Sequence, residues 1–235
     1  MQDKHLSTQF DVDLNAVSTK VLQMGGMVEA QVSRAMRALA EFDAELADVV
    51  MAEEHKLNAI EVEIDADCNN IIARRQPTAR DLRLVMAISK TITNLERAGD
   101  EAEKIAKRTK HIIEDNAAHS INYSEVKLAG DMANSLLRRS LDAFARLDAD
   151  SAAAIMLDDR AIDEEFRGFV RKLVTYMMED ARTISVALEF LFIAKAVERI
   201  GDHAKNIAEF VIYIVKGTDI RHSGKQEKAV HQTES

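Results

Sequence analysis

Glu96 and Asp100 stand four residues apart with Gly99 between them, and the same arrangement returns as Glu198, Gly201 and Asp202. Residues four apart on a helix lie one above the other, so each pair offers two carboxylates to one side. Hard oxygen donors placed this way chelate a divalent or trivalent cation when a second helix completes the shell. Upstream segments supply partners: Glu54 for the first pair, and Asp159 with Asp163, again four apart, for the second. Without a cation, like charges at this spacing repel by roughly a few tenths of a kcal/mol, and a glycine inside a helix costs about 1 kcal/mol relative to alanine. Both penalties are written twice and call for something that offsets them. A plainer reading stands beside the metal: Glu96 paired with Arg97 or Lys104, Asp100 with Lys104, and the glycines serving only close helix contact.

Other chemistry is poorly supplied. His203 follows Asp202 and could add a nitrogen ligand, but the first repeat has Glu101 there. None of the seven histidines has a glutamate three residues before it, so the Glu-x-x-His pairs of ferritin-type centres are missing. There is no glycine-rich phosphate loop, no Gly-x-Ser-x-Gly and no His-Glu-x-x-His. The single cysteine, Cys68, shares a helical stripe with Ile64 and Ile71, reads as core, and excludes an intramolecular disulfide.

The elements that must position these acids are helices. One proline and eight glycines in 235 residues leave few means of turning, and alanine, leucine, glutamate, lysine, arginine and methionine favour helix. Leu14, Val17, Val21, Met24, Val28, Val32, Ala35 and Leu39 form a stripe at the helical period, predicting a first helix from about 11 to 42, with Gly25 and Gly26 marking a close contact or a kink. Asp43 is the expected N-cap of a second helix reaching about 74. Pro77 forces a break, and Thr78 caps a third helix ending near 116. Three more helices are expected at about 122–146, 149–180 and 183–217.

The halves repeat. Glu96, Arg97, Gly99, Asp100 and Ile105 match Glu198, Arg199, Gly201, Asp202 and Ile207 at an offset of 102, whereas Asp43, Ala47 and Met51 match Asp148, Ala152 and Met156 at 105. About three extra residues therefore lie in the first half, near Pro77, although Ala59-Ile60 also matches Ala161-Ile162 at 102 and leaves the register between the zones open. The expected fold is all-α: two tandem three-helix bundles, 1–117 and 118–217, with a disordered tail at 218–235.

A formal charge of −9 argues against nucleic acid, whose phosphates demand a basic face. The most apolar stretch, 184–200, is interrupted by Glu189, Lys195 and Glu198, too charged to span a bilayer. The start, MQDKHLSTQF, shows no positive segment followed by an apolar core, so no signal peptide and a cytosolic address are expected.

The segments RQPTARDLRLVMAISKTITNLERAGD and TYMMEDARTISVALEFLFIAKAVERIGDHAKNIAEF resemble the two signature regions of the PhoU family, and VLQMGGMVEAQV and YIVKGTDIRH extend the likeness over nearly the whole chain. The resemblance implies two three-helix bundles, a homodimer, and a negative regulator of phosphate uptake and of the phosphate-starvation response. Such a regulator couples the ATPase of the phosphate-specific ABC transporter to the PhoR sensor kinase, and reaches the inner membrane only through these protein partners. It also implies metal ions (Mg, Mn, Fe or Zn) on acidic motifs, one motif pair per bundle. Carried onto this chain, the ligands are Glu96 and Asp100 in the first bundle, and Glu198, Asp202, Asp159 and Asp163 in the second. The first bundle departs from the pattern with Glu54-x-x-x-Asn58, and Asn94 stands where many members have aspartate, so its site is expected to hold metal less tightly than the second. A carboxylate-bridged metalloenzyme of phosphate metabolism and a purely structural helical protein are the alternatives.

Overall fold

Asp43 and Asp148 do what short acidic side chains do at a helix start: each sits in extended backbone and accepts backbone N–H bonds from the first turn, from Leu46 in one case and from Asp150 and Ser151 in the other. In the computed structural model, which describes residues 2–77, 79–116 and 121–217, they open the second helix of each half. The helices are α1 (Gln2–Glu41), α2 (Ala44–Arg75), α3 (Ala79–Glu114), α4 (Ser124–Arg146), α5 (Ala149–Glu179) and α6 (Ile184–Lys216). No strand occurs among the described residues. The tail at 218–235 and the cap expected at Thr78 lie outside them.

Several boundaries differ from expectation for identifiable reasons. α1 begins at Gln2 rather than near 11, because nothing in QDKHLSTQ breaks a helix. It also runs through Gly25 and Gly26 without a stop: a Cβ at Gly25 would collide with Leu141 of α4, whereas Gly26 faces open space. α2 ends on Gln76 in the left-handed conformation, one residue before Pro77. α6 is preceded by a 3₁₀ turn, Ala181–Thr183, whose Arg182 N–H is accepted by Asp180, and closes on Gly217 at φ 72°.

The most extensive helix contact joins the halves rather than lying within either. α3 and α6 run antiparallel along their lengths: Lys90 reaches the Phe210 ring, Asn94 meets Asn206, Arg199 bonds Glu101, and Arg108 bonds Glu189. α1 and α4 make a second, smaller joint, tied by the Tyr123 hydroxyl donating to the Leu39 carbonyl at 3.2 Å and by the Phe42 ring packing edge-on against Tyr123. One continuous core of alanine, leucine, isoleucine and valine therefore runs through both bundles, with Cys68 buried in it as expected.

The order of helices in space follows: α2 flanks α3, and α5 flanks α6. Each flanking crevice receives one of the repeated acid motifs.

Candidate metal centres

In the α2–α3 crevice, antiparallel packing sets the two helices rung against rung. Ser89 Oγ donates to Asp65 Oδ1 at 3.0 Å, and Thr93 Oγ1 donates to Glu61 Oε1 at 3.3 Å. Further along, the hydroxyls give way to acids, and Glu54, Glu96 and Asp100 each bring an oxygen within 4.8 Å of the others. The plainer pairing does not occur. Lys104 bonds Glu101 instead, and neither Glu96 nor Asp100 has a salt-bridge partner among the described residues.

Glu54 is only 8 % exposed. Its Oε2 receives one long bond, 3.5 Å, from Gln31, and its Oε1 is buried with no hydrogen-bond partner. One turn along α2, Asn58 Oδ1 is buried and unpartnered as well. Buried acceptors in this condition cost about 1–3 kcal/mol each unless something fills the gap. Burial, followed by the fields of Asp100, Glu61 and Glu54, pushes the Glu96 carboxyl up to about 6. Glu54 is raised by burial and then by Asp100, and Glu61 by burial against the opposing Thr93 bond. A site that disfavours its own negative charge, offers only oxygen and leaves a buried lone pair unused fits a hard divalent or trivalent cation. Glu54, Glu96 and Asp100 would hold it, and the ion would supply the missing positive charge.

Gly99 accounts for the helical glycine. A Cβ there would run into Leu57 of α2 and come within 3.1 Å of Gln31 Oε1 and 3.8 Å of Glu54 Oε2. Its absence lets α2 press Glu54 into the cluster. Gly201 plays the same part: a Cβ would lie 2.8 Å from Ile162 Cδ1 and 3.2 Å from Asp159 Oδ1. Leu57 and Ile162 thus occupy matching places, which settles the register of α2 against α5 at 105; with 102 from Ala79 onward, residues 76–78 are the extra three.

The α5–α6 crevice gathers Asp159, Asp163, Glu198 and Asp202 on the equivalent rungs, and burial, then Glu198 and Asp159, raise the Asp202 carboxyl to about 6. Here, however, cations of the chain itself are in place. Lys205 Nζ donates to Asp159 Oδ2 at 2.9 Å, Lys195 Nζ donates to Glu198 Oε2 at 2.6 Å, and Arg167 lies 3.8 Å from Asp163. No second set of three acids converges as the first does among the described residues. The three converging acids thus lie in the crevice where Asn58 replaces a carboxylate. Glu61, absent from the sequence reading, belongs to the first crevice; its own spacing to Asp65 was the signal.

Two other residues singled out in the sequence turn toward the α3–α6 seam instead. His203 Nδ1 lies 3.1 Å from Asn94 Oδ1, which also accepts from Asn206 Nδ2 at 3.0 Å, while Asn94 Nδ2 donates to the Lys90 carbonyl. Since Asn94 Oδ1 can only accept, Nδ1 carries the proton. Burial, reinforced by Arg97, Arg199 and Lys104, lowers His203 to about 4, so the ring is neutral and structural at pH 7.

A chain made of two such halves has a counterpart among known families: the PhoU domain matches twice, over residues 21–109 and 126–211. The chain belongs to the PhoU family. A Burkholderia protein described as a phosphate-specific transport system accessory protein PhoU homolog is 54 % identical over 97 % of this chain and 98 % of its own. The Escherichia coli K12 accessory protein PhoU is 47 % identical over 96 % of this chain and 92 % of its own. The crystal structure of PhoU from Pseudomonas aeruginosa superposes with a TM-score of 0.86 at 45 % identity, covering 89 % of this chain and all of that one (100 %). The phosphate transport system regulatory protein PhoU from Streptococcus pneumoniae gives 0.83 at 28 % identity, covering 90 % and 99 %. Among the described residues no helix is long and apolar enough to cross a membrane.

Proposed function

We propose that this protein is a non-enzymatic, cation-loaded adaptor that restrains phosphate uptake and the phosphate-starvation response. In this reading it works in the cytoplasm as a homodimer, between the ATPase of a phosphate-specific ABC transporter and a PhoR-type sensor kinase. Membership of a family whose relatives are named as accessory and regulatory proteins of phosphate transport supports the setting. The observation that carries the cation is the convergence of Glu54, Glu96 and Asp100 on a buried, unpartnered Glu54 oxygen. Bound metal neutralises the first crevice and fixes the spacing of α2 and α3, giving partners a surface of defined charge. An acidic chain gains nothing from anionic lipid, so attachment to the membrane runs through protein contacts.

Deleting the gene should raise phosphate uptake and starvation-gene expression in high phosphate; unchanged uptake would refute the regulatory role. Capture of the transporter ATPase and the kinase on immobilised protein should weaken when Glu54→Gln and Glu96→Gln are combined. A phosphatase assay of the metal-loaded protein is expected to give no turnover, and turnover lost with the same pair would favour the enzyme instead.

A further inference from the structure

The repeat makes the two acid clusters comparable position by position. Thr93 of α3 corresponds to Lys195 of α6, and Glu103 to Lys205, both at 102. On the flanking helices Glu61 corresponds to Phe166, at 105. Where the first half sets the Thr93 hydroxyl on Glu61, the second sets the Lys195 ammonium 5.3 Å above the Phe166 ring and on Glu198. The next exchange reverses an ion pair: α3 has Glu103 bonded to Lys107 at 2.7 Å, whereas α6 has lysine first, Lys205, with Glu209 following. The order decides which charge faces the cluster. Glu103 adds negative field at Glu54, and Lys205 bonds Asp159. Accordingly Glu54 Oε1 is left without a donor, while Asp159, 2 % exposed, has one.

We infer that the two clusters are unlike in function: the α2–α3 cluster takes one hard divalent cation from solution, whereas the α5–α6 cluster carries Lys195 and Lys205 as built-in counter-ions and admits a metal only by displacing them. This rests on the metal reading proposed above and adds to it the stoichiometry and the residues that set it. A metal entering the second cluster must break the bonds of both ammonium groups and then tolerate them nearby, which weakens its affinity about tenfold to a hundredfold relative to the first. The chain then has one cation-responsive half and one half of fixed charge.

Mn²⁺ titration of the chelator-stripped full chain, counted by equilibrium dialysis and by the loss of the free-ion electron paramagnetic resonance signal, tests this. One tight ion per chain is expected. It is lost with Glu54→Gln plus Glu96→Gln and kept with Asp159→Asn plus Asp202→Asn. Lys195→Thr plus Lys205→Gln should bring a second ion into the tight range, a gain of at least about tenfold. Glu103→Lys, in the other half and on a partly exposed side chain, should weaken the first ion by about tenfold; it reads the same claim in reverse if the lysine variant fails to fold by circular dichroism. Two equally tight ions in the unsubstituted chain, a single ion that follows Asp159 and Asp202, or an affinity indifferent to Glu103→Lys would overturn the asymmetry alone. No bound ion at millimolar Mn²⁺ would overturn the metal reading and the asymmetry with it.

Discussion

Replacing Glu96 by glutamine should stabilise the metal-free protein and destabilise the metal-loaded one relative to the unsubstituted chain. In the fold the Glu96 carboxyl is raised from 4.5 to about 6 by burial and by Asp100, Glu61 and Glu54. A rise of that size corresponds to about 2 kcal/mol between its protonation states. Because the side chain is partly exposed, solvent screening reduces this to about 1 kcal/mol. A carboxyl whose folded pKa is raised favours the fold below 4.5, where it is protonated in both states, and that advantage is lost as pH rises through 6. At pH 8 in chelator the native chain therefore bears the full penalty, and Glu96→Gln removes it. The melting temperature should rise by about 2–4 °C, the response of a chain of this size to about 1 kcal/mol. At pH 4.5 the difference should shrink toward zero. In saturating Mn²⁺ the sign should reverse, because the variant loses the stabilisation that binding confers on the native state. Differential scanning calorimetry at both pH values, with chelator and with metal, reads all three. A variant that melts lower than the parent in chelator at pH 8 would show that the carboxylate is already satisfied within the chain, and the reasoning would fail.

Three further outcomes follow from the same geometry. Gly99→Ala should cut Mn²⁺ affinity about tenfold while moving the melting temperature by only a few degrees, since the Leu57 tip can yield but Gln31, which donates to Glu54, must shift; unchanged affinity would dissociate the glycine from the site. His203, lowered to about 4 from 6.5, leaves the unfolded chain binding the extra proton in that window, so its contribution to stability is complete above pH 6.5 and is lost as pH falls toward 4. His203→Gln, compared with the parent by urea denaturation, should flatten that decline, and parallel pH profiles would contradict it. Tyr123→Phe removes the bond to Leu39 that ties α4 to the end of α1 and should cost about 1 kcal/mol, read as a 2–4 °C lower melt.

Much of this arrangement was visible in one dimension because it depends on spacing. The stripe from Leu14 to Leu39, the cap at Asp43, the break at Pro77 and the duplicated acids all follow from helical period and local backbone chemistry, and the cap at Asp148 is the repeat partner of Asp43. Boundaries were less legible where no local signal exists: α4 starts at Ser124 after Tyr123, which makes no side-chain cap bond, and QDKHLSTQ holds no helix-breaking residue to mark a start near 11. What escaped was the choice each side chain makes among several partners, some on its own helix and some on a neighbour. Lys104 was available to Asp100 by spacing but turns to Glu101, and Asn94, read as a weakened ligand position, is instead the acceptor joining α3 to α6. Lys205 reaches Asp159 across two helices, which spacing could not tell, whereas Lys195 and Glu198 are three apart on α6, a pairing that spacing allows without singling it out. Asn58 marks a departure in the first site, whereas the proposed asymmetry rests on the lysines of the second.

Crystals of the full chain soaked in Mn²⁺ and measured at the manganese absorption edge would test the central claim most directly. The expected anomalous difference map has one strong peak among Glu54, Glu96 and Asp100. A strong peak at Asp159 and Asp202 instead, or none in the α2–α3 crevice, would contradict it.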